Sequence, residues 1–488
     1  MTSRMIALRA LIPVLIAFFT LSAPLKDAAA QNHLAQLATG GTGGWVNAAR
    51  PLTVEDMKGR LILLDFWTYG CVNCMQIVPD LEKLEQMFGD RLLILGVHSA
   101  KFKGEQGNDR ILDAARRFGL KHPVINDSDY ALWKAYNVNA WPTQILLSPA
   151  GTELGRYVGE GHLEKIKTDI AKNISAASNS TSMAAFVNNQ NAKGTLSFPA
   201  RLAAGPEGTI FIADSGHHRI LQIDRDGKIM NIIGSGNRGL KDGTYNAAQF
   251  NMPRGMVMLD NKLYIADTNN HALRKVDLAK KTVTTIAGHG QKGEIASPWD
   301  MDVMDDNNTI AIAMAGRHQL WSLNARREKI APLAGTGAEA LTDGRGSAAA
   351  LAQPSGLSYV PGALFFVDAE SSALRVLENG NIRTLIGTGL FDFGKQDGTY
   401  PAAKLQHPQG LAADAEAIYI ADTYNDAIRV YERASGTLTT LELPADSLKE
   451  PGDVLLTERQ LWIADTNHHE IKIYDLDTKT LNTRSINP

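Results

Sequence analysis

The chain contains two cysteines, Cys71 and Cys74, and together they form a single C-x-x-C motif. The apolar residues 61–66 predict a buried strand before the motif, and the spacing of Ile77 and Leu81 predicts a helix that starts at it. Because the amides and dipole of a helix N-terminus stabilise a thiolate, we expect the pKa of Cys71 to lie below the ordinary thiol value of about 8.5. The motif therefore predicts thiol–disulfide exchange through a redox-active disulfide, in which Cys71 attacks and Cys74 resolves the mixed disulfide.

Two other uses of the cysteine pair remain open at this point. A tetrahedral zinc site would need two further ligands, but there is no second C-x-x-C, and His98 and His122 do not have zinc-finger spacing. A permanent disulfide would close only a very short loop, and the stabilisation that a disulfide gives grows with loop length. We predict no metal site and no cofactor.

The elements around the motif alternate between strand and helix. The apolar residues 92–97 predict a second buried strand, and residues 144–147 and 154–158 predict a hairpin. A helix over 105–119 and an apolar helix face over 163–174 complete an α/β domain with a central sheet. We predict this domain at 45–175, after a tail at 31–44. A Ser-, Asn- and Ala-rich linker at 176–195 follows, and its residues 184–187 could form a strand of the next domain.

The remainder of the chain, 196–488, repeats. An Ile-Ala-Asp-like segment recurs six times at intervals of 43 to 54 residues, although the third copy has methionine in place of the acid. The anchor positions of the six copies are Asp214, Asp267, Met314, Asp368, Asp422 and Asp465. Six units with several short strands each predict a six-bladed β-propeller. The acids of the anchors could form a metal ring, but one acid at each strand end is typical of capping of turns and backbone amides.

Three longer connectors share a second pattern, in which Asp-Gly is followed by an alanine-rich segment and then proline. The Asp-Gly pairs begin at Asp242, Asp343 and Asp397. Because the repeat places them equivalently, we expect these connectors on one face of the propeller, where they would present a binding surface for a protein partner.

Composition and the N-terminal residues limit the class of protein. Hydrophobic residues make up 44 % and charged residues 21 %, which excludes wholesale disorder, and the net charge of −3 gives no basic footprint for nucleic acid. Residues 1–30 combine a basic start, a short apolar run and Ala28-Ala29-Ala30, which predicts a cleaved signal peptide. We therefore expect export to a bacterial periplasm, with no stable membrane span.

The segment from Asp65 to Cys74 resembles the active-site segment of the thioredoxin family, and Pro79 and Trp141-Pro142-Thr143 match the family's helix proline and cis-proline loop. The resemblance implies that Asp65 is a buried proton acceptor for Cys74. It also implies that Pro142 is cis and binds the substrate backbone beside Cys71. Three aromatic side chains would contact substrate in this arrangement, namely Trp67, Tyr69 and Trp141. Val72-Asn73 replaces the family's Gly-Pro, and this dipeptide affects the reduction potential and the direction of electron flow.

The repeats resemble NHL repeats, through the core Ile-Ala-Asp-Thr-x-x-His-x-Leu-Arg and an upstream Pro-x-Gly. The whole chain is therefore similar to NHL-repeat proteins that begin with an exported, TlpA-like thioredoxin domain. The function predicted from the sequence is that of a periplasmic thiol–disulfide oxidoreductase whose propeller recruits a protein thiol or disulfide client, without nucleic acid. The alternative is an interaction scaffold in which the propeller is the functional part and the thioredoxin-like domain is structural.

Overall fold

A computed structural model describes residues 33–177, 186–187, 194–304 and 308–487. The predicted signal peptide at 1–30 lies outside these residues. The described residues form an α/β domain followed by a six-bladed β-propeller, as predicted from the sequence.

The first domain is built on one mixed six-stranded sheet. Its strands are β1 Trp45–Val46, β2 Leu61–Trp67, β3 Leu92–His98, β4 Val124–Asn126, β5 Thr143–Leu147 and β6 Glu153–Val158. Their order across the sheet is β1-β4-β3-β2-β5-β6. Strands β2 and β3 are parallel, and β5 runs antiparallel to β2 and forms the predicted hairpin with β6. Every residue of β2 and β3 is buried, which explains why both sequences are apolar without alternation.

Helices cover both faces of this sheet. They are α1 (residues 33–38), α2 Val54–Met57, α3 Val72–Phe88, α4 Asn108–Phe118, α5 Ala131–Ala135 and α6 Leu163–Asn173. On one face, α3 and α6 pack against Leu61 and Leu63 of β2. On the other face, Ile62 and Leu64 pack with α1, α2 and α5. Strand β2 is therefore held from both sides, which fixes the position of the C-x-x-C motif at its end.

The structure differs from the sequence-based interpretation of the tail and the linker. Leu34 and Leu37, in the predicted tail, are buried in the core of the first domain. Phe186, in the predicted linker, is also buried in that core, and its carbonyl accepts a hydrogen bond from the amide of Ala49. Residues 186–187 thus pack on the first domain and not on the propeller. Short isolated apolar groups such as these carry no periodic signal in the sequence.

The propeller consists of six antiparallel sheets in chain order. Blade 1 comprises β7 Pro199–Ala204, β8 Ile210–Asp214, β9 Arg219–Ile223 and β10 Ile229–Ile233. Blade 2 comprises β11 Gly243–Thr244, β12 Pro253–Leu259, β13 Lys262–Asp267, β14 Ala272–Asp277 and β15 Thr282–Ala287. Blade 3 comprises β16 Pro298–Val303, β17 Thr309–Met314, β18 Gln319–Asn324 and β19 Lys329–Ala334. Blade 4 comprises β20 Gly344–Arg345, β21 Pro354–Val360, β22 Ala363–Asp368, β23 Ala373–Glu378 and β24 Asn381–Ile386. Blade 5 comprises β25 Gly398–Thr399, β26 Gly410–Ala413, β27 Ala417–Asp422, β28 Ala427–Glu432 and β29 Thr437–Thr440. Blade 6 comprises β30 Pro451–Thr457, β31 Gln460–Asp465, β32 Glu470–Asp475 and β33 Thr480–Arg484.

In blades 2, 4 and 5, the anchor acids cap the backbone and pair with buried arginines. In blade 4, Asp368 accepts hydrogen bonds from the amide of Ala352 and lies 2.9 Å from the guanidinium of Arg375. The same guanidinium also contacts Asp343 of the connector, 3.0 Å away. Blades 2 and 5 repeat this arrangement with Asp267, Arg274 and Asp242, and with Asp422, Arg429 and Asp397. The anchors thus hold each connector on its own blade, where it adds the short fifth strand.

A second repeated contact links each blade to the next. The residue that follows the 3-10 turn after each anchor has a left-handed backbone. Its side chain accepts a hydrogen bond from a backbone amide of the next blade, and the donor immediately precedes the proline that leads into the innermost long strand of that blade. We call the six donor residues the opening residues. The opening residues, each followed by the residue whose side chain accepts from its amide, are Met252 with His218, Ser297 with His271, Gln353 with His318, His407 with Ser372, Glu450 with Asp426 and Phe198 with His469. Five of these pairs therefore join a blade to the one before it along the chain. The last pair joins blade 6 to blade 1 and closes the ring.

Breaking one anchor pair should destabilise the propeller strongly. Asp368→Ala would leave the fully buried Arg375 without its closest carboxylate, so we expect the free energy of unfolding to fall by about 3–5 kcal/mol. Urea unfolding of the full chain measures this loss. The exposed Glu378 of the same blade provides a matched control, and Glu378→Ala should change the free energy by no more than about 0.5 kcal/mol. Equal losses in the two variants would contradict the role assigned to the pair.

Candidate functional site: a dithiol between two domains

The two cysteines lie at the start of helix α3, directly after strand β2. Cys71 is the N-cap residue, and its Sγ accepts a hydrogen bond from the amide of Cys74 at 3.4 Å. Both are free thiols, with 9 % of Cys71 and 3 % of Cys74 exposed. The sulfur at the N-cap is therefore placed where helix amides stabilise negative charge, as the sequence predicts, but it is more enclosed than the sequence indicates.

Cys74 is held in its protonated form. Burial raises the pKa of the Cys74 thiol well above its usual value, and the proximity of Cys71 and of the Asp65 carboxylate raises it further. Nucleophilic attack by Cys74 therefore requires a group that takes its proton.

Asp65 is suited to that role by its environment. It lies in the middle of the sheet on β2, where burial raises the pKa of its carboxyl to about 6, against the lowering effect of a 3.0 Å hydrogen bond from the Gln144 side-chain amide. The negative charge of Asp65 in turn contributes to the raised pKa of the Cys74 thiol. Asp65 thus titrates close to neutrality, as a proton acceptor should.

The other predicted site residues gather in one apolar cluster with the two cysteines. Trp67, Tyr69 and Trp141 belong to this cluster, and the Trp141–Pro142 peptide bond is cis. Trp67 and Tyr69 are buried, because their rings pack on His98 with centroids 4.9 and 5.4 Å away. The Tyr69 hydroxyl donates a 2.8 Å hydrogen bond to Glu450 of the propeller. Tyr69 therefore contacts the second domain in the position where the sequence predicts a substrate contact.

Glu105 supports the segment before the motif, and sequence reasoning did not identify it. Its carboxylate accepts hydrogen bonds from the Thr68 hydroxyl at 2.6 Å, the Gly70 amide at 2.8 Å and the Phe102 amide at 3.0 Å. Burial raises the pKa of Glu105 to about 7. A single acid 34 residues after Cys71 has no spacing that would mark it in the sequence.

The propeller covers the motif through Gln353, the opening residue of blade 4. The Gln353 side-chain amide donates to the carbonyl of Gly70 and accepts from the amide of Val72, both at 3.0 Å. Val72 begins helix α3, so its amide has no acceptor within the helix. Gln353 therefore supplies, from the other domain, the hydrogen bond that caps the first turn of the active-site helix.

The side chain of Val72 also enters the propeller. It is buried in an apolar cluster with residues of blades 3 and 4, including Trp299, Ala315 and Leu351. One turn further along α3, the side-chain amide of Gln76 donates to the Ser297 hydroxyl at 3.0 Å. Val72 is thus the residue of the C-x-x-C motif that joins the hydrophobic cores of the two domains.

Charged and aromatic contacts surround this central contact. Lys101 pairs with Glu370 at 2.8 Å, and both side chains are buried. The Glu450 carboxylate accepts the hydrogen bond from the Tyr69 hydroxyl and lies 3.5 Å from the guanidinium of Arg117. Three rings, Phe102, His407 and Tyr424, pack together, with His407 and Tyr424 stacked at a centroid distance of 4.4 Å. Further ion pairs join Arg110 to Asp426, Lys449 to Asp113, Arg238 to Glu82 and Lys292 to Glu160.

The opening residues thus form the docking surface for the first domain. Ser297, Gln353, His407 and Glu450, from blades 3 to 6, all contact it. The connectors lie at this same face, where Arg238 and Gln406 bind the first domain. The first domain therefore contacts part of the face that the sequence predicts as a binding surface, while Asp242, Asp343 and Asp397 of the three connectors remain about half exposed.

A cleft of about 530 Å³ remains between the domains beside blades 1 to 3. Met75, Val78 and Phe118 contribute to its lining on the side of the first domain, and His271 and Trp299 on the side of the propeller. In the part of the chain that the structure describes, no three His, Cys, Asp or Glu side chains converge on a position that could hold a metal ion. None of the described helices has the length and apolarity needed to cross a bilayer.

Comparison with known proteins agrees with this architecture. A thioredoxin-like family model matches residues 59–153, and the NHL repeat model matches residues 196–223 and 250–276. NHL repeat-containing protein 2 of Homo sapiens is 37% identical over an alignment of 453 positions that covers 81% of this chain and 62% of that protein. Protein SUPPRESSOR OF QUENCHING 1, chloroplastic, of Arabidopsis thaliana is 36% identical over 81% of this chain and 41% of its own length.

Similarity to a smaller protein covers a quarter of the chain. Thiol-disulfide oxidoreductase ResA of Bacillus thuringiensis (strain Al Hakam) is 23% identical over 25% of this chain and 69% of its own length. By contrast, the chain spans less than two thirds of the length of NHL repeat-containing protein 2. The chain is therefore a relative of NHL repeat-containing protein 2 in which a thioredoxin-like domain precedes an NHL-repeat β-propeller.

Proposed function

We propose that this protein is a thiol–disulfide oxidoreductase that uses Cys71 and Cys74. The observation that carries the proposal is the placement of Cys71 at the N-cap of α3 with Cys74 one turn inside, next to a buried acid. The similarity to ResA, whose name describes this activity, supports the proposal.

The reaction proceeds in two displacements. The Cys71 thiolate attacks one sulfur of a substrate disulfide, so that a new S–S bond forms and the other substrate sulfur leaves and takes up a proton. Cys74 then transfers its proton to Asp65 and attacks the Cys71 sulfur, which releases the second substrate thiol. Two electrons pass to the substrate, and the protein is left with a Cys71–Cys74 disulfide.

Export to the periplasm and recruitment of a protein partner belong to the same proposal. Residues 1–30 carry the features of a cleaved signal, so protein from its native host should begin at Gln31. Since the Asp-Gly segments of the three connectors remain exposed beside the first domain, a partner would bind the propeller at these segments.

One observation favours the scaffold as a second candidate function. The dithiol is almost wholly buried under the propeller, and a domain kept only for packing would have this arrangement. The scaffold predicts that the cysteines can be replaced without loss of function, whereas exchange predicts that they cannot.

Equilibration of the protein with glutathione redox buffers tests the exchange. We expect a reversible dithiol–disulfide transition between about −120 and −270 mV, the range of thioredoxin-like catalysts. Thiol trapping and intact mass measure the transition. Reduced Cys74→Ser should accumulate a mixed disulfide on Cys71, and Cys71→Ser is the matched control that should not. A pair that never oxidises, or that stays oxidised below about −300 mV, would contradict exchange and favour the scaffold.

The pH dependence of the second displacement tests Asp65. Because the pKa of Asp65 lies at about 6, its carboxylate accepts a proton above that pH and is already protonated below it. Release of the mixed disulfide should therefore accelerate as pH rises through 6. In Asp65→Asn the inflection should disappear, and the rate at pH 7 should fall by at least about tenfold. Stopped-flow mixing measures the rate, and an unchanged inflection in Asp65→Asn would exclude Asp65 as the acceptor.

A further inference from the structure

We propose that the propeller restricts the dithiol to small disulfides and excludes polypeptide segments, with Gln353 as the residue that sets this specificity. The inference rests on the proposed exchange at Cys71 and names the substrate class of that site.

The backbone groups on either side of Cys71 are already occupied. A polypeptide lying across the motif would need free backbone donors and acceptors along it, because buried backbone groups must be paired. The carbonyl of Gly70 and the amide of Val72 are the groups that flank Cys71, and the amide of Gln353 binds both at 3.0 Å. Gln353 therefore lies over the backbone on both sides of Cys71, and a peptide lying across the nucleophile would have to displace it.

The two domains would have to move apart to withdraw Gln353 from the motif, and the contacts around Gln353 oppose this movement. The Val72 side chain is buried in the propeller, and Lys101 and Glu370 form a buried pair beside it. Separation of the domains would expose Val72 and leave these charges without their partners, which is costly for buried ions. The cover is therefore part of the folded structure.

The two domains also approach too closely to admit a chain between them. A Cβ atom on Gly104 would lie only 2.5 Å from the carbonyl oxygen of Tyr424, and one on Gly70 would lie 3.1 Å from the His407 ring. The glycines are thus needed for contact with blade 5, and no polypeptide fits in this part of the interface.

The cleft beside blades 1 to 3 leaves a route for a small molecule. Its volume of about 530 Å³ lies in the range of small-molecule pockets. Met75, Val78 and Phe118 line the cleft and also belong to the apolar cluster that contains both sulfurs. Met75 lies one helical turn after Cys71, and a methionine side chain changes rotamer readily. Neither cysteine lines the cleft itself, so a small disulfide would reach Cys71 from it by displacement of the Met75 side chain and not of a domain.

A single-turnover comparison of two disulfides tests the specificity. The full chain is reduced, freed of reductant and mixed with oxidised glutathione or with insulin, and formation of the Cys71–Cys74 disulfide is followed by quenched thiol trapping. The wild-type protein should react with glutathione disulfide at least about 100-fold faster than with insulin. Each reaction transfers two electrons from the dithiol, so no further reductant is required.

Gln353→Ala should raise the ratio of the insulin rate to the glutathione disulfide rate at least tenfold, and this ratio cancels any general change in the reactivity of Cys71 that follows from loss of the helix cap. Gln460→Ala is the matched control, since Gln460 lies at the other end of β31 from the turn that faces the first domain. If Gln353→Ala fails to fold, Gly104→Ala provides a second variant. Its added methyl group should push the first domain away from blade 5, and we expect the same gain of reactivity toward insulin.

The outcomes separate the inference from the proposed function. Equal wild-type rates with the two disulfides, or a folded Gln353→Ala in which the ratio of the insulin rate to the glutathione disulfide rate does not rise, would overturn the exclusion and leave exchange standing. A wild-type dithiol that reacts with neither disulfide would overturn both.

Discussion

The arrangement of this protein depends on the contact between the N-terminus of helix α3 and blade 4 of the propeller. A helix that begins at a reactive cysteine leaves its first amides without partners, and here one of them is capped by a glutamine from a different domain. The same glutamine binds the carbonyl before Cys71, while Val72 joins the two apolar cores. The position of the sulfur is thus set jointly by both domains.

The propeller provides this contact by varying one position of its repeat. In every blade, the opening residue has a left-handed backbone, precedes a proline and donates its amide to the preceding blade. Since this backbone contact needs no particular side chain, the side chain is free to differ. At this opening position, blades 3 to 6 carry a serine, a glutamine, a histidine and a glutamate, and all four side chains contact the first domain. A symmetrical framework therefore presents an asymmetrical surface.

Buried charges fix the orientation of the domains more than they contribute to stability. Lys101 with Glu370, and Glu450 with Arg117 and Tyr69, are shielded from water, where desolvation offsets much of the attraction between opposite charges. Each pair is nevertheless satisfied in only one relative position of the two domains. Burial likewise raises the pKa values of Cys74 and Glu105 beside the interface, and that of Asp65 inside the sheet of the first domain.

The sequence by itself determined the two folds and the C-x-x-C pair, because periodic apolar residues, repeated anchors and a short motif are local patterns. The buried acid Asp65 was identified through the resemblance to the thioredoxin family. The same resemblance also placed Trp141-Pro142 next to the cysteines. The packing of Leu34 and Phe186 on the first domain could not be predicted, since each is an isolated apolar group. Only the tertiary structure decided that the cysteines are covered. Gln353 lies 281 residues from Val72, and the position it occupies carries a different side chain in each blade, so no pattern along the chain could reveal that it binds the motif.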